Sequence, residues 1–449
     1  MTQTYASTPP ATSAVPRSLR RALIAVWLLF VLCALAFVGM LGTNAPYADE
    51  WEFVPALLGD EPVVPWLWQQ HNEHRMPLPR AIVFAYFKLT RDFRAGMVLQ
   101  VAMLAALALF LIRLADKLRG KPHWADAFFP VSLLHIGHWE NFVMGYQVCF
   151  VLFAVLATAL AVVALRTTRE NALRSGMIAG ACLMLLALTG GSGLVLVPVV
   201  GAWLVFVAVS VWRGGAKGRA LLLLLLAALP LAYLGVYFQG YHRPPHHPPP
   251  SSDLVAVTNV TGQVLAMSLG IGLSAVWWAV FPGLLVIGSA TLYLLLSGRW
   301  NKPSERLSVT GLIAVAAGVT GVAVAVGVGR GGFSQEHPMG LWSRYSLLTW
   351  PLLATAYLSW VKLGGEWIPI ALCVAAAIAI PGNTGAGMMN GAQVAGDYAG
   401  IAAQAKAGLT AEQIVKAEPF KMSHHAGQEE RAARAIPLLR RDRVGIFAR

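Results

Sequence analysis

With 449 residues, of which 57% are apolar and only 12% charged, the chain carries too little polar surface to cover a soluble globule of its length. Its net charge of +13 is dispersed as short clusters between apolar stretches rather than along one stripe. That pattern sets nucleic acid aside as a partner and fits membrane topology and anionic lipid. Cys33, Cys149, Cys182 and Cys373 all lie inside apolar runs, with neither metal spacing nor a disulfide framework.

The expected class is all-α, a polytopic integral membrane protein of ten or eleven membrane-spanning helices. Clear apolar stretches begin at Ala22, Gly96, Cys149, Leu221, Val280 and Leu312, and each approaches the roughly 20 residues a helix needs to cross about 30 Å of hydrocarbon. Residues 1–20 are expected to form a cytoplasmic tail. Arg17 to Thr43 joins a basic flank to a span too long for a secretory h-region and without a cleavage site, so it is expected to be a retained first helix. Basic residues then recur in alternate loops: Arg17, Arg20 and Arg21; Arg113, Lys117, Arg119 and Lys121; Arg166, Arg169 and Arg174; Arg213, Lys217 and Arg219; Arg299, Lys302 and Arg306. Loops of this kind are retained in the cytoplasm. The intervening loops, Asn44 to Arg80, Gly137 to Gln147, Thr189 to Ser192, Gln239 to Asp253 and Gly331 to Arg344, are rich in Trp, His, Pro, Gly, Asn and carboxylates. The parity requires Leu254 to Ser274 to be interfacial or re-entrant, with a crossing after Trp277 and Trp278. A membrane domain over 21–381 and a helical extracytoplasmic segment over 382–449 complete the expected layout. Nine Lys or Arg residues in that last segment run against its placement outside, although long translocated segments obey the charge rule poorly.

Residues able to do chemistry gather on the non-cytoplasmic side. The first outer loop, 44–80, is expected to hold interfacial helices and opens with Tyr47-Ala-Asp-Glu-Trp-Glu-Phe, placing Asp49, Glu50 and Glu52 among aromatics just beyond the first helix. Carboxylates there can act as a general base, orient an acceptor or hold a divalent cation. The same loop continues Trp66-Leu-Trp-Gln-Gln-His-Asn-Glu-His-Arg, bringing His71, Glu73, His74 and Arg75 into one helical turn or a tight loop. On a helix, His71 and His74 would share a face able to bind phosphate or metal, with Arg75 as a positive fork. It is not the His-Glu-x-x-His signature of a zinc protease. The second outer loop adds His138, Glu140, Asn141, Tyr146 and Gln147, of which the amides suit sugar hydroxyls. Thr189-Gly-Gly-Ser-Gly permits close backbone approach to an anion. Arg330 closes one span and Arg344, followed by Tyr345, opens the next, where an arginine calls for a phosphate or a carboxylate partner. The run Arg243-Pro-Pro-His-His-Pro-Pro-Pro reads as a stiff loop, with His246 and His247 assigned no role beyond a lid.

Tyr47-Ala-Asp-Glu-Trp, an acidic pair directly after the first membrane helix, resembles the first-loop signature of the GT-C superfamily of membrane glycosyltransferases. The long first outer loop, the many further spans and the outer C-terminal segment are similar in layout to protein O-mannosyltransferases and to aminoarabinose and arabinofuranosyl transferases, which use polyprenyl-phosphate sugars. The resemblance implies an inverting glycosyltransferase. Asp49 would activate an acceptor hydroxyl, Glu50 would assist in acceptor or metal binding, and Arg330, Arg344, His74 or Arg75 would hold the departing phosphate. It implies a polyprenyl-phosphate sugar as donor and a lipid, glycan or protein as acceptor; compact loops and Ala/Gly/Arg-rich usage lead to the expectation of a bacterial inner membrane. The chain departs from well-known members in lacking a large soluble C-terminal domain. Three rivals remain: an O-antigen ligase or polymerase with a diphosphate-linked donor; a purely structural membrane protein, which would not need so many acids, histidines and amides on one face; and a transporter or flippase. The last would need ionisable residues in mid-span, which are almost absent.

Overall fold

The computed structural model describes residues 17–245, 247–297, 300, 302–333, 338–417 and 428–448. His246 and Arg299, named above, lie outside the described residues. Within them the chain is helical, with no β-strand. In chain order the helices are α1 (Arg17–Leu41), α2 (Val54–Leu58), α3 (Val63–Trp68), α4 (Pro77–Thr90), α5 (Arg94–Arg119), α6 (Phe128–Leu134), α7 (Trp139–Val143), α8 (Val148–Arg166), α9 (Ala172–Ala187), α10 (Gly191–Arg213), α11 (Lys217–Tyr237), α12 (Leu254–Ala266), α13 (Trp277–Leu296), α14 (Arg306–Arg330), α15 (Ser346–Leu363), α16 (Trp367–Lys406), α17 (Ala411–Ala417) and α18 (Gln428–Arg441).

Among the described residues, eight helices are long and apolar enough to cross a membrane: α1, α5, α8, α10, α11, α13, α14 and α16. The protein is therefore a multi-pass membrane protein, since in lipid a helix satisfies its own backbone groups. The difference from ten or eleven lies in α9 and α12, apolar but shorter, and in α15. That helix has 18 residues, interspersed with Thr, Ser, Tyr, Trp and Pro, and is buried along nearly all its length because other helices rather than lipid surround it.

Ion pairs tie down both ends of the bundle. At the basic end, Arg119 joins Asp126 at 3.0 Å and Glu366 at 2.9 Å, and the Tyr357 hydroxyl donates to Asp126 at 2.7 Å. At the acid-rich end, the C-terminal helices pack on the first loop. Trp51 meets Phe447 edge to face, Arg441 pairs with Asp60 at 2.8 Å, and the Tyr398 hydroxyl donates to the Pro46 carbonyl. The composition shift at 382 falls inside α16, which runs for 40 residues straight through Pro381 and carries the chain beyond the apolar bundle. At 1.5 Å per residue it is about 60 Å long, twice the hydrocarbon thickness.

The segment after the Pro-rich loop begins with an ordinary cap: Asp253 accepts from the amides of Val255 and Ala256, and α12 follows. It contacts the ends of neighbouring helices near the first loop. Gln263 accepts from the Gly340 amide, and Val264 accepts from Thr349 in the first turn of α15. The turn after α12 is pinned by Asn383, which accepts from the Gly272 amide at 2.8 Å and donates to the Leu269 carbonyl at 2.9 Å.

Candidate active site

Two short sequence segments build the site from opposite directions. In the first, the turn Ala48–Phe53 folds around Glu50, which is fully buried. One carboxylate oxygen accepts from the Tyr47 amide at 3.0 Å and the other from the Tyr146 amide at 2.9 Å. Gly145 makes this fit possible, since a side chain there would run into the Tyr86 hydroxyl and approach Glu50. Burial, reinforced by the charge of Asp49, pushes the Glu50 carboxyl up to about 8 against the pull of those amides. Glu50 thus braces the first loop against the start of α8 and does not line the cavity described below.

In the second segment, His71 and His74 exchange both backbone N–H···O bonds, at 2.7 and 2.8 Å, around Asn72, whose φ of 47° is left-handed. The residues form a tight loop, so the two imidazoles point different ways rather than sharing a helix face. The His71 ring bridges Asp49, at 3.3 Å from Nε2, and Glu52, at 2.9 Å from Nδ1. His74 packs against Gly191, where a side chain would strike its ring. Arg75, expected to grip phosphate, is instead consumed by structure. Its guanidinium donates to the carbonyls of Tyr237, Trp68 and Gln239 at 3.1, 3.0 and 2.9 Å, fastening the first loop to the end of α11.

A cavity of about 500 Å³ opens between these segments and the spans. Asp49, His71, Glu73 and His74 reach it from the first loop; Tyr146 and Gln147 from the start of α8; and Arg330, Arg344 and Tyr345 from the ends of α14 and α15. Leu194 and Val195 of α10, Leu234 of α11 and Val322 and Val326 of α14 add an apolar wall. Each arginine already has a carboxylate. Arg330 pairs with Glu73 and stands 3.2 Å from His247, which itself lies 3.0 Å from Glu73. Arg344 pairs with Glu140 at 3.0 Å and lies over Trp342, 3.9 Å from the ring centre. Glu140 also accepts from the Arg344 amide at 3.1 Å, so it orients the arginine from outside the cavity.

His138 and Asn141 are not brought into the site. His138 is buried between the Ser346 hydroxyl, 2.6 Å away, and the Ser132 carbonyl, 3.0 Å away, while Asn141 donates to the Ser343 carbonyl at 3.3 Å. Both join helix ends. Sequence reasoning missed His247 and Trp342 as lining residues, as well as Arg80 and Arg431 behind Glu52. The acidic run that includes Glu52 was a signal for such partners, but nothing local identifies which of the chain's 34 Lys and Arg residues they are. Among the described residues, no group of three or more His, Cys, Asp or Glu side chains could hold a metal ion.

The charges are mutually compensated. Burial would push Glu52 up, but His71, Arg431 and Arg80 outweigh it and hold the carboxyl below its usual range. Burial likewise opposes a charge on His71, yet Glu52 and Asp49 raise it to about 9. Glu73 is held low against burial by His74, Arg330 and His247, whereas burial, aided by Arg330 and His71, keeps His74 below the usual imidazole value. A stability profile follows. The folded state keeps a proton on Glu50 up to about 8 and on His71 up to about 9, whereas the unfolded chain releases them near 4.5 and 6.5. The Glu50 contribution therefore falls away as pH rises from about 4.5 to 8 and that of His71 from about 6.5 to 9, whereas those of Glu52 and Glu73 fall away below about 4.5. Thermal unfolding of the detergent-solubilised protein is expected to show its midpoint dropping across the alkaline range; a flat profile there would contradict these ionisation states.

No protein-family model matches this chain, and no curated protein or solved structure matches it either.

Proposed function

We propose that the chain is an inverting glycosyltransferase that moves a sugar from a polyprenyl-phosphate donor to a lipid, glycan or protein acceptor at the outer face of a bacterial inner membrane. One observation carries this: a single cavity brings together a carboxylate, Asp49, two arginines at helix ends, Arg330 and Arg344, and an apolar wall from α10, α11 and α14. A polyprenyl phosphate has matching parts, a hydrocarbon chain suited to the wall and a phosphate suited to guanidinium donors. In the reaction, the acceptor oxygen forms a bond to the anomeric carbon from the face opposite the phosphate. Its proton passes to Asp49, and the carbon–oxygen bond to phosphate breaks with its electron pair leaving on the phosphate. Arg330 and Arg344 stabilise that growing charge. Aromatic side chains at Tyr146, Trp342 and Tyr345 offer flat faces to a sugar ring.

The pairing of Arg330 with Glu73 and of Arg344 with Glu140 leaves this wall near neutrality. That favours a singly charged phosphodiester over the diphosphate donor of an O-antigen ligase or polymerase. The test is transfer of radiolabelled sugar from a panel of polyprenyl-phosphate and polyprenyl-diphosphate donors by membranes containing the protein, against membranes without it. Monophosphate-dependent transfer is expected. Transfer from diphosphates alone would move the protein to the ligase class, and none from any donor would refute a glycosyltransferase.

A further inference from the structure

Glu52 does not line the cavity, yet three cationic side chains converge on it. His71 Nδ1 stands 2.9 Å from one carboxylate oxygen, Arg431 of α18 reaches the same oxygen at 2.9 Å, and Arg80 of α4 lies 3.3 Å from the other. Arg80 is itself immobilised. It donates to the carbonyls of Trp66 and Gln69, and its guanidinium sits over the rings of Phe53 and Trp66 at 5.4 and 5.3 Å. The His71 ring is 2% exposed and wedged edge-on against Phe53 and Tyr146. Its remaining nitrogen lies 3.3 Å from the Asp49 carboxylate and 3.3 Å from the Asn72 side-chain amide.

We infer that His71 is a positioning residue: it bridges Glu52 to Asp49 and fixes the Asp49 carboxylate at the cavity, while Glu52, Arg80 and Arg431 lock the bridge from behind. The inference rests on the proposed activity for the role of Asp49, but the bridge itself does not. Glu52 accepts from Nδ1 and the Asp49 carboxylate stands at ion-pair distance from Nε2, beside the Asn72 amide; a ring protonated on both nitrogens serves both carboxylates, because a neutral imidazole donates from one alone. The charges alternate from Asp49 through His71 and Glu52 to the two arginines, and His71 with the arginines holds Glu52 ionised in spite of burial. The groups facing His71 are Asp49 and Glu52 from the first turn, Glu73 and His74 from its own loop, Tyr146 from α8, and Arg80 and Arg431 behind Glu52.

The experiment is a pH titration of the full chain, labelled with ¹⁵N-histidine in detergent micelles, with His71 assigned through His71→Gln. Both ring nitrogens of His71 are expected to remain protonated to pH 8. Glu52→Gln and Asp49→Asn should each lower its midpoint by about one to three pH units, the effect of removing an adjacent opposite charge. Arg431→Ala should raise the midpoint, because a cation is withdrawn; this variant also serves if Glu52→Gln does not fold. A wild-type His71 titrating near the ordinary imidazole value, or a midpoint indifferent to Glu52, overturns the bridge. In sugar transfer, Glu52→Gln should reduce kcat on the order of 10²-fold with donor KM little changed, as expected of a misdirected base. Arg431→Ala should show a smaller loss that Arg431→Lys restores. An unchanged kcat beside a lowered midpoint refutes positioning. Absence of transfer by the wild type refutes the proposed activity, while the titration still decides the bridge.

Discussion

Asp49→Asn should lower sugar transfer by about 10²- to 10⁴-fold, the range a general base contributes, while the protein still folds, with a thermal midpoint lowered by the lost ion pair to His71. Asparagine keeps the shape of the side chain and can still accept from His71 through its amide oxygen, so the loop around it has no reason to collapse. It cannot take the acceptor's proton. Asp49 is the carboxylate that lines the cavity from the first turn, whereas Glu50 is buried under two amides and Glu52 faces away toward Arg80 and Arg431. Steady-state transfer with purified, folding-matched protein decides the matter. A rate within threefold of wild type would remove Asp49 as base and turn attention to Glu73, the other carboxylate at the cavity.

The largest loss of stability is expected from Arg80→Met. Arg80 is fully buried, and its guanidinium serves two main-chain carbonyls and the Glu52 carboxylate. Removing it deletes the charge but strands its partners. Removing one partner from a buried ion-pair network costs up to about 3–5 kcal/mol; here the Trp66 and Gln69 carbonyls lose their donor, while Glu52 keeps His71 and Arg431. Methionine refills much of the volume between Phe53 and Trp66, so a cavity contributes little. Denaturant unfolding in mild detergent should register the loss, and a change below about 1 kcal/mol would mean that Glu52 is adequately held by His71 and Arg431 alone.

The membrane architecture was legible because lipid demands long apolar runs and the sequence has them. Asp49, His71, Glu73, His74, Tyr146, Gln147, Arg330, Arg344 and Tyr345, expected at the acid-rich end, do meet in one cavity. Which of their neighbours are structural was not legible. Arg75 and His138 have the composition of ligand-binding residues, but one is spent on the carbonyls that end α11 and the other on a serine of α15. Such demands arise only when distant helix ends are brought together. Glu52 and Arg431 show the same limit in reverse, being partners separated by most of the chain. The count of spans was uncertain for a related reason. Helices surrounded by protein, such as α15, need not carry the apolar composition that contact with lipid imposes.

Arg431 meets Glu52 only after the ribosome has added 379 further residues. At roughly 5–20 residues per second this takes on the order of 20 to 80 s. Throughout that interval the nascent first loop holds its acids without α18. The interval divides biosynthesis into two stages: insertion of the spans, followed by closure of the loop by the last helix. A message truncated after α16 would therefore encode every apolar span yet yield a protein whose acidic turn is never capped. Such a product would be recognised by protease susceptibility in the first loop rather than by failure to enter the membrane.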